Sequence, residues 1–86
     1  MHFIYILKSI SFPHKIYVGY TLDIGSRLNI HNNGGSVYTA DVKPWELVWF
    51  CQFQDKFQAL EFEKYLKSHS GRAFMIKRLV KKDSDL

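Results

Sequence analysis

Two short segments, Phe3 to Lys8 and Lys15 to Tyr20, limit the possible folds of this chain more than any other feature. Both are rich in aromatic and β-branched residues, and the stretch Ser9-Ile10-Ser11-Phe12-Pro13-His14 between them is broken by a proline. The pair therefore reads as a β-hairpin. Alternation predicts Phe3, Tyr5 and Leu7 on one face of the first strand and Lys15, Tyr17 and Gly19 on one face of the second, with Ile4, Ile6, Ile16 and Val18 turned the other way. Gly19 near the strand end suits close approach of backbone or ligand.

Beyond the hairpin, Ile24, Leu28 and His31 recur at helical spacing, with Arg27 between them, which predicts a helix from about Asp23 to His31 that Gly25 weakens. Asn32-Asn33-Gly34-Gly35-Ser36 stops it, and a loop of about a dozen residues closes at Lys43-Pro44, long enough to be a functional surface. Glu46 to Phe53 reads as a third strand, and its nearly continuous apolar character predicts a central, two-sided place in the sheet. Asp55 and Gln58 have capping-box spacing and open a helix with Ala59, Phe62 and Leu66 as its apolar stripe and Glu63 on its border. Ser70-Gly71 is expected to interrupt, after which Arg72 to about Lys81 resumes helical spacing through Ala73, Ile76 and Val80.

Composition makes this one domain. The 86 residues, 47% hydrophobic and 16% aromatic, suffice for a single core and no more. The expected division is a domain over 1–82 and a short polar tail over 83–86. The sole cysteine, Cys51, lies in an apolar run and reads as a core residue, which excludes a disulfide framework and a cysteine zinc site. With no leader-like pattern at Met1 to Lys8 and no apolar stretch of membrane-spanning length, a cytoplasmic setting without a membrane is expected. The net charge is +4, and seven of the twelve cations fall between Lys64 and Lys82 with no carboxylate among them. That surplus favours a phosphate-bearing partner and equally fits a solvated helix end.

The carboxylates narrow the chemistry. A two-metal phosphodiesterase site needs several of them converging. Glu61 and Glu63 are two apart on a helix and face differently, while Asp41-Val42-Lys43 lies in a loop without an acidic partner. A one-metal site needs one carboxylate to hold Mg²⁺ or Mn²⁺, one cation for the developing phosphorane charge and one proton acceptor. Glu63 supplies the first, Arg27 the second, and Tyr5, Tyr17 or His31 the third.

In this order the residues resemble the GIY-YIG nuclease family. The matching segments are Tyr5-Ile6-Leu7, Tyr17-Val18-Gly19-Tyr20-Thr21, Arg27 ten positions past Tyr17, His31-Asn32, and Ala59-Leu60-Glu61-Phe62-Glu63-Lys64. Together they span about Phe3 to Lys67 and are similar to the small standalone and SLX-type members. Two positions depart from the pattern: Phe3 stands where the first motif has glycine, and Tyr20 stands where the nuclease module of UvrC has a lysine.

The resemblance implies an α+β fold, a small three-stranded antiparallel sheet flanked by helices. It also implies a metal-dependent DNA endonuclease acting in DNA repair or recombination. Tyr5 or Tyr17 would orient or deprotonate the attacking water, Arg27 would stabilise the transition state, His31 would lie near the scissile phosphate, and Glu63 would bind one Mg²⁺ or Mn²⁺ ion. Lys67, Arg72 and Tyr38 are the candidate DNA contacts, and a chain with no room for an appended DNA-binding domain is expected to recognise DNA structure, rely on a protein partner for specificity or cut with little preference. The competing reading is a nucleic-acid-binding module without useful catalysis. Against it stands Glu63, because binding alone has no use for a carboxylate that repels phosphate.

Overall fold

The computed structural model describes residues 1–80. The expected boundary at 82, the tail 83–86, and Lys81 and Lys82 of the basic stretch lie outside the described residues. The chain runs β1 (His2–Ser9), β2 (Ile16–Thr21), α1 (Ile24–Asn32), a 3₁₀ turn (Ala40–Val42), β3 (Trp45–Phe53), α2 (Lys56–Lys67) and α3 (His69–Arg78). The strands form one antiparallel sheet in the order β2-β1-β3, as the α+β reading expects.

The hairpin faces fall as alternation predicts. Ile4, Ile6 and Val18 lie in one apolar cluster with Ala59 and Leu66 of α2 and Met75 of α3. Tyr5 and Leu7 lie in the other with Trp45, against Tyr17, Ile24 and Leu28. The sheet is thus covered by α2 and α3 on its aliphatic face and by α1 with the 3₁₀ turn on its tyrosine face.

Two expectations are corrected. β3 is an edge strand and β1 the centre. Ile4, Tyr5, Ile6 and Leu7 are each at most 1% exposed, whereas Phe50 in β3 is 51% exposed. The apolar continuity of β3 comes from a register shift opposite Ile6 and Leu7, where Trp49 pairs with Ile6 and Leu47 with Leu7. The extra residue reverses the alternation, so Trp49, Cys51 and Phe53 pack on the aliphatic side while Leu47 and Trp45 pack on the tyrosine side. A strand that serves both faces in turn resembles, in sequence, a strand buried on both.

The other correction concerns the break between α2 and α3. It falls at Ser68, which ends α2 and caps α3 by accepting from Gly71 N at 3.1 Å, and Gly71 is inside α3. The inward positions of α3 are accordingly Gly71 and Met75, followed by Val80 just past its end, while Ala73 is exposed.

Candidate active site

Asp23 starts α1 by accepting from Ser26 N at 3.2 Å, and the orientation this gives the helix carries Arg27 and His31 over the tyrosine face. Gly34, at φ 76°, lets the chain leave the helix end. The Asn32 side chain then spans to β3, accepting from Trp45 N and donating to Trp45 O at 3.1 Å. Trp45 Nε1 donates to Thr39 O at 3.0 Å, which folds the loop back under α1.

The result is a buried polar row. The Tyr5 hydroxyl lies 3.0 Å from His31 Nε2, and His31 Nδ1 lies 2.8 Å from Thr39 Oγ1. The Thr39 hydroxyl points its own proton at Ser36 O. Assigned from this pattern, Thr39 accepts from Nδ1–H and the neutral imidazole accepts the Tyr5 proton at Nε2. Burial, and then the positive charge of Arg27, hold His31 below its ordinary value, in keeping with that neutral form.

Tyr5 also receives a hydrogen bond from the Arg27 side chain. Burial pushes the Tyr5 hydroxyl up to about 12 even so; the Arg27 hydrogen bond opposes the shift, and the nearby Tyr17 and Glu63 add to it. Arg27 is correspondingly held more firmly protonated, first by Tyr5 and then, against its partial burial, by the charges of both tyrosines. Tyr17 is half-buried, its ring 6.2 Å from that of Tyr5 and 4.8 Å from that of His31. Gly19 makes the arrangement possible: a Cβ there would overlap the Tyr5 ring, with Cε1 only 2.8 Å away.

Glu63 comes from α2 and is close enough to act electrostatically on Tyr5. Its carboxylate is 19% exposed and pairs with the more exposed Lys67 at 3.0 Å. Glu63, Lys64, Lys67 and Ser68 line an open surface cavity of about 450 Å³. Among the described residues no three His, Cys, Asp or Glu side chains cluster as metal ligands. A lone, partly exposed carboxylate beside an open cavity suits a hard divalent cation that keeps several waters and takes its other ligands from phosphate. The donor set therefore fits one Mg²⁺ or Mn²⁺ ion and does not fit a pair.

Thus Tyr5, Tyr17, Arg27 and His31 are in mutual contact, with Glu63 in electrostatic range. His31, fully buried, meets Tyr5 and Thr39 rather than solvent. Tyr38 stands 89% exposed beside the buried Thr39, and Arg72 is exposed on α3. Sequence reasoning missed Thr39 as the support of His31. Only its position eight residues past His31, in a loop bracketed by Gly34 and Trp45, pointed that way.

A model of the GIY-YIG catalytic domain matches residues 1–77. The chain belongs to the GIY-YIG family. It is 38% identical over 68 residues to a UPF0213 protein of Clostridium perfringens, covering 78% of this chain and 71% of that one. A UPF0213 protein of Staphylococcus aureus is 33% identical over 81 residues, with 93% and 94% covered. The solution NMR structure of a UPF0213 protein from Bacillus halodurans superposes with a TM-score of 0.53 at 30% identity, covering 88% of this chain and 82% of that one. GIY-YIG domains are nuclease domains, and the resemblance to small standalone members is borne out. Among the described residues no helix is long and apolar enough to cross a membrane.

Proposed function

We propose that this GIY-YIG protein hydrolyses phosphodiester bonds in DNA with a single divalent ion held at Glu63. The observation that carries the reading is the joint placement of Arg27 on the Tyr5 hydroxyl, Tyr17 beside the same ring, and Glu63 within electrostatic range. Arg27 binds the non-bridging phosphate oxygens and stabilises the charge that grows on them. Tyr17, half-buried at the mouth of the row, orients the attacking water and, as the phenolate once its own proton has passed to solvent, takes the water's proton. Tyr5 stays protonated; it donates to His31 and holds Arg27 in place, so His31 and Thr39 act through it as positioning residues.

Glu63 would hold Mg²⁺ or Mn²⁺, which when bound supplies Lewis acidity at the phosphate and a more acidic water. Lys67 is then freed from Glu63 to pair with phosphate. The surplus of cations on α2 and α3 favours the DNA backbone, with Arg72 as one contact and Tyr38 a further one at the loop. A role in repair or recombination would require recognition of branched DNA or a specificity-giving partner.

The test is cleavage of single-stranded, duplex, flap and four-way-junction DNA with Mg²⁺ or Mn²⁺, by wild type and Glu63→Gln, with EDTA as control. Metal-dependent cutting that drops about 100-fold or more in the variant is expected, the range seen when a charge-stabilising group is removed. Binding without cutting on every substrate selects the binding-module reading instead, and unchanged turnover in Glu63→Gln removes Glu63 from the mechanism.

A further inference from the structure

The tyrosine face does not end at Tyr5. In the register, Tyr5 lies opposite Gly19 on one side and Phe50 on the other, and Phe3 lies two residues along β1 on the same face. The Phe3 and Phe50 rings are 6.2 Å apart and tilted at 59°. Phe50 is 51% exposed and Phe3 is half-buried. An open aromatic pair therefore shares a face with the candidate active site, one strand spacing of about 4.8 Å from Tyr5 on the side away from Gly19, over which the Tyr5 hydroxyl leans.

Nothing about folding calls for a phenylalanine there. At this end of the face the apolar cluster of Tyr5, Leu7 and Trp45 has run out, and an exposed ring on an edge strand invites edge pairing. An aromatic pair on the same face as a phosphate-binding arginine, about two strand spacings away, suits a nucleobase of the strand whose phosphate that arginine holds. A base inside a duplex has its faces covered by its neighbours, so only an unpaired or displaced base can lie on the rings.

We propose that Phe50, backed by Phe3, is a stacking platform for an unpaired nucleobase in the strand that runs to the scissile phosphate, and that it gives this protein a preference for DNA with unpaired nucleotides. The proposal rests on the nuclease reading, since the phosphate at Arg27 is what brings the base to Phe50. It needs no ordered metal, only the phosphate held at Arg27. Its occupant is fixed by continuity: the face runs from the phosphate-binding arginine through Tyr5 to Phe50, in a chain of net charge +4.

The experiment measures binding of wild type and Phe50→Leu to a 2-aminopurine-labelled single strand, a flap and a blunt duplex, with EDTA present so that no strand is cut. Leucine keeps the apolar volume and removes the ring, and circular dichroism with thermal melting checks that the variant folds. The expected result is a loss of about tenfold for single strand and flap, in line with the usual worth of a base–aromatic stack, with duplex affinity changed less than about twofold. The 2-aminopurine quenching seen with wild type should disappear. Equal losses on all three DNAs, or none on any, overturn the platform. Should wild type cut DNA in the assay above while Phe50→Leu binds every substrate normally, the platform falls and the nuclease stands. No DNA binding by wild type overturns the platform, and no cutting in the assay above removes the nuclease reading with it.

Discussion

The two tyrosines look alike in the sequence, and their surroundings assign them different work. Tyr5 is buried, receives Arg27 and donates to His31, while Tyr17 is half-exposed and touches His31 ring to ring. Tyr5→Phe should therefore orphan the buried Nε2 of His31 and destabilise the fold by about 1–3 kcal/mol. Tyr17→Phe should stay within about 0.5 kcal/mol of wild type, because its hydroxyl is not committed to a buried partner, yet lose most of its cleavage rate. Urea unfolding beside single-turnover cleavage separates the two, and equal stability losses would contradict the division. The order Tyr5, Tyr17, Arg27, Glu63 was legible as a resemblance to the GIY-YIG pattern, and the family match over residues 1–77 bears out that resemblance. The burial of His31 was not, because it depends on a loop held back by Asn32, Trp45 and Thr39, three contacts that no local spacing announces.

At the scale of elements, hairpin faces and helix starts were readable because alternation and capping are local rules, and Asp23 and Asp55 both cap as residue type predicts. The place of β3 was not readable. A bulge exchanges the faces of a strand without changing how apolar it looks, and strand order is decided by which segment the other two can flank. The α2–α3 junction failed for a related reason: Ser70-Gly71 resembles a helix stop, but the glycine is needed for contact. A Cβ at Gly71 would run into the backbone carbonyl of Tyr65, with Leu66 Cα at 2.9 Å. Gly71→Ala should therefore cost about 1–3 kcal/mol, the usual penalty of overpacking, or about 4–8 °C of melting temperature for each kcal/mol in a domain of this size. Gly25→Ala is the matched control. Its Cβ would meet only Asp23 Oδ1 at 3.6 Å, so the same change in α1 should be neutral or stabilise by about 0.5–1 kcal/mol. Differential scanning calorimetry of both variants checks the pair, and similar melting shifts would refute the junction argument.

For the whole molecule, composition predicted an apolar core, and the described residues bear a single sheet with an apolar cluster on each face. What composition did not foretell is that one of those clusters encloses titratable groups, which ties global stability to pH from both sides. His31 in the folded chain is held below its ordinary 6.5, so as pH falls the unfolded chain takes the proton first. The stability it contributes is fully present above about pH 6.5 and drains away as pH falls towards the folded value. Tyr5 works in the opposite direction. Its folded value, about 12, lies above the ordinary 10.0, so its contribution is whole below pH 10 and lost as pH rises through 12. The partly buried Cys51 thiol, also raised by desolvation, steepens that alkaline limb from about 9.0. Asp23 is held low by its capping bonds to Ser26, and its effect appears only below about 3.8, clear of the His31 window. Urea unfolding between pH 4 and 11 should give a plateau with falling edges. His31→Gln keeps a side chain able to bond Tyr5 or Thr39 and cannot titrate, so its acid edge should flatten below about pH 6.5 while its alkaline edge, set by Tyr5, stays. An acid edge that is unchanged in His31→Gln would mean that the buried imidazole is not what couples this fold to protons.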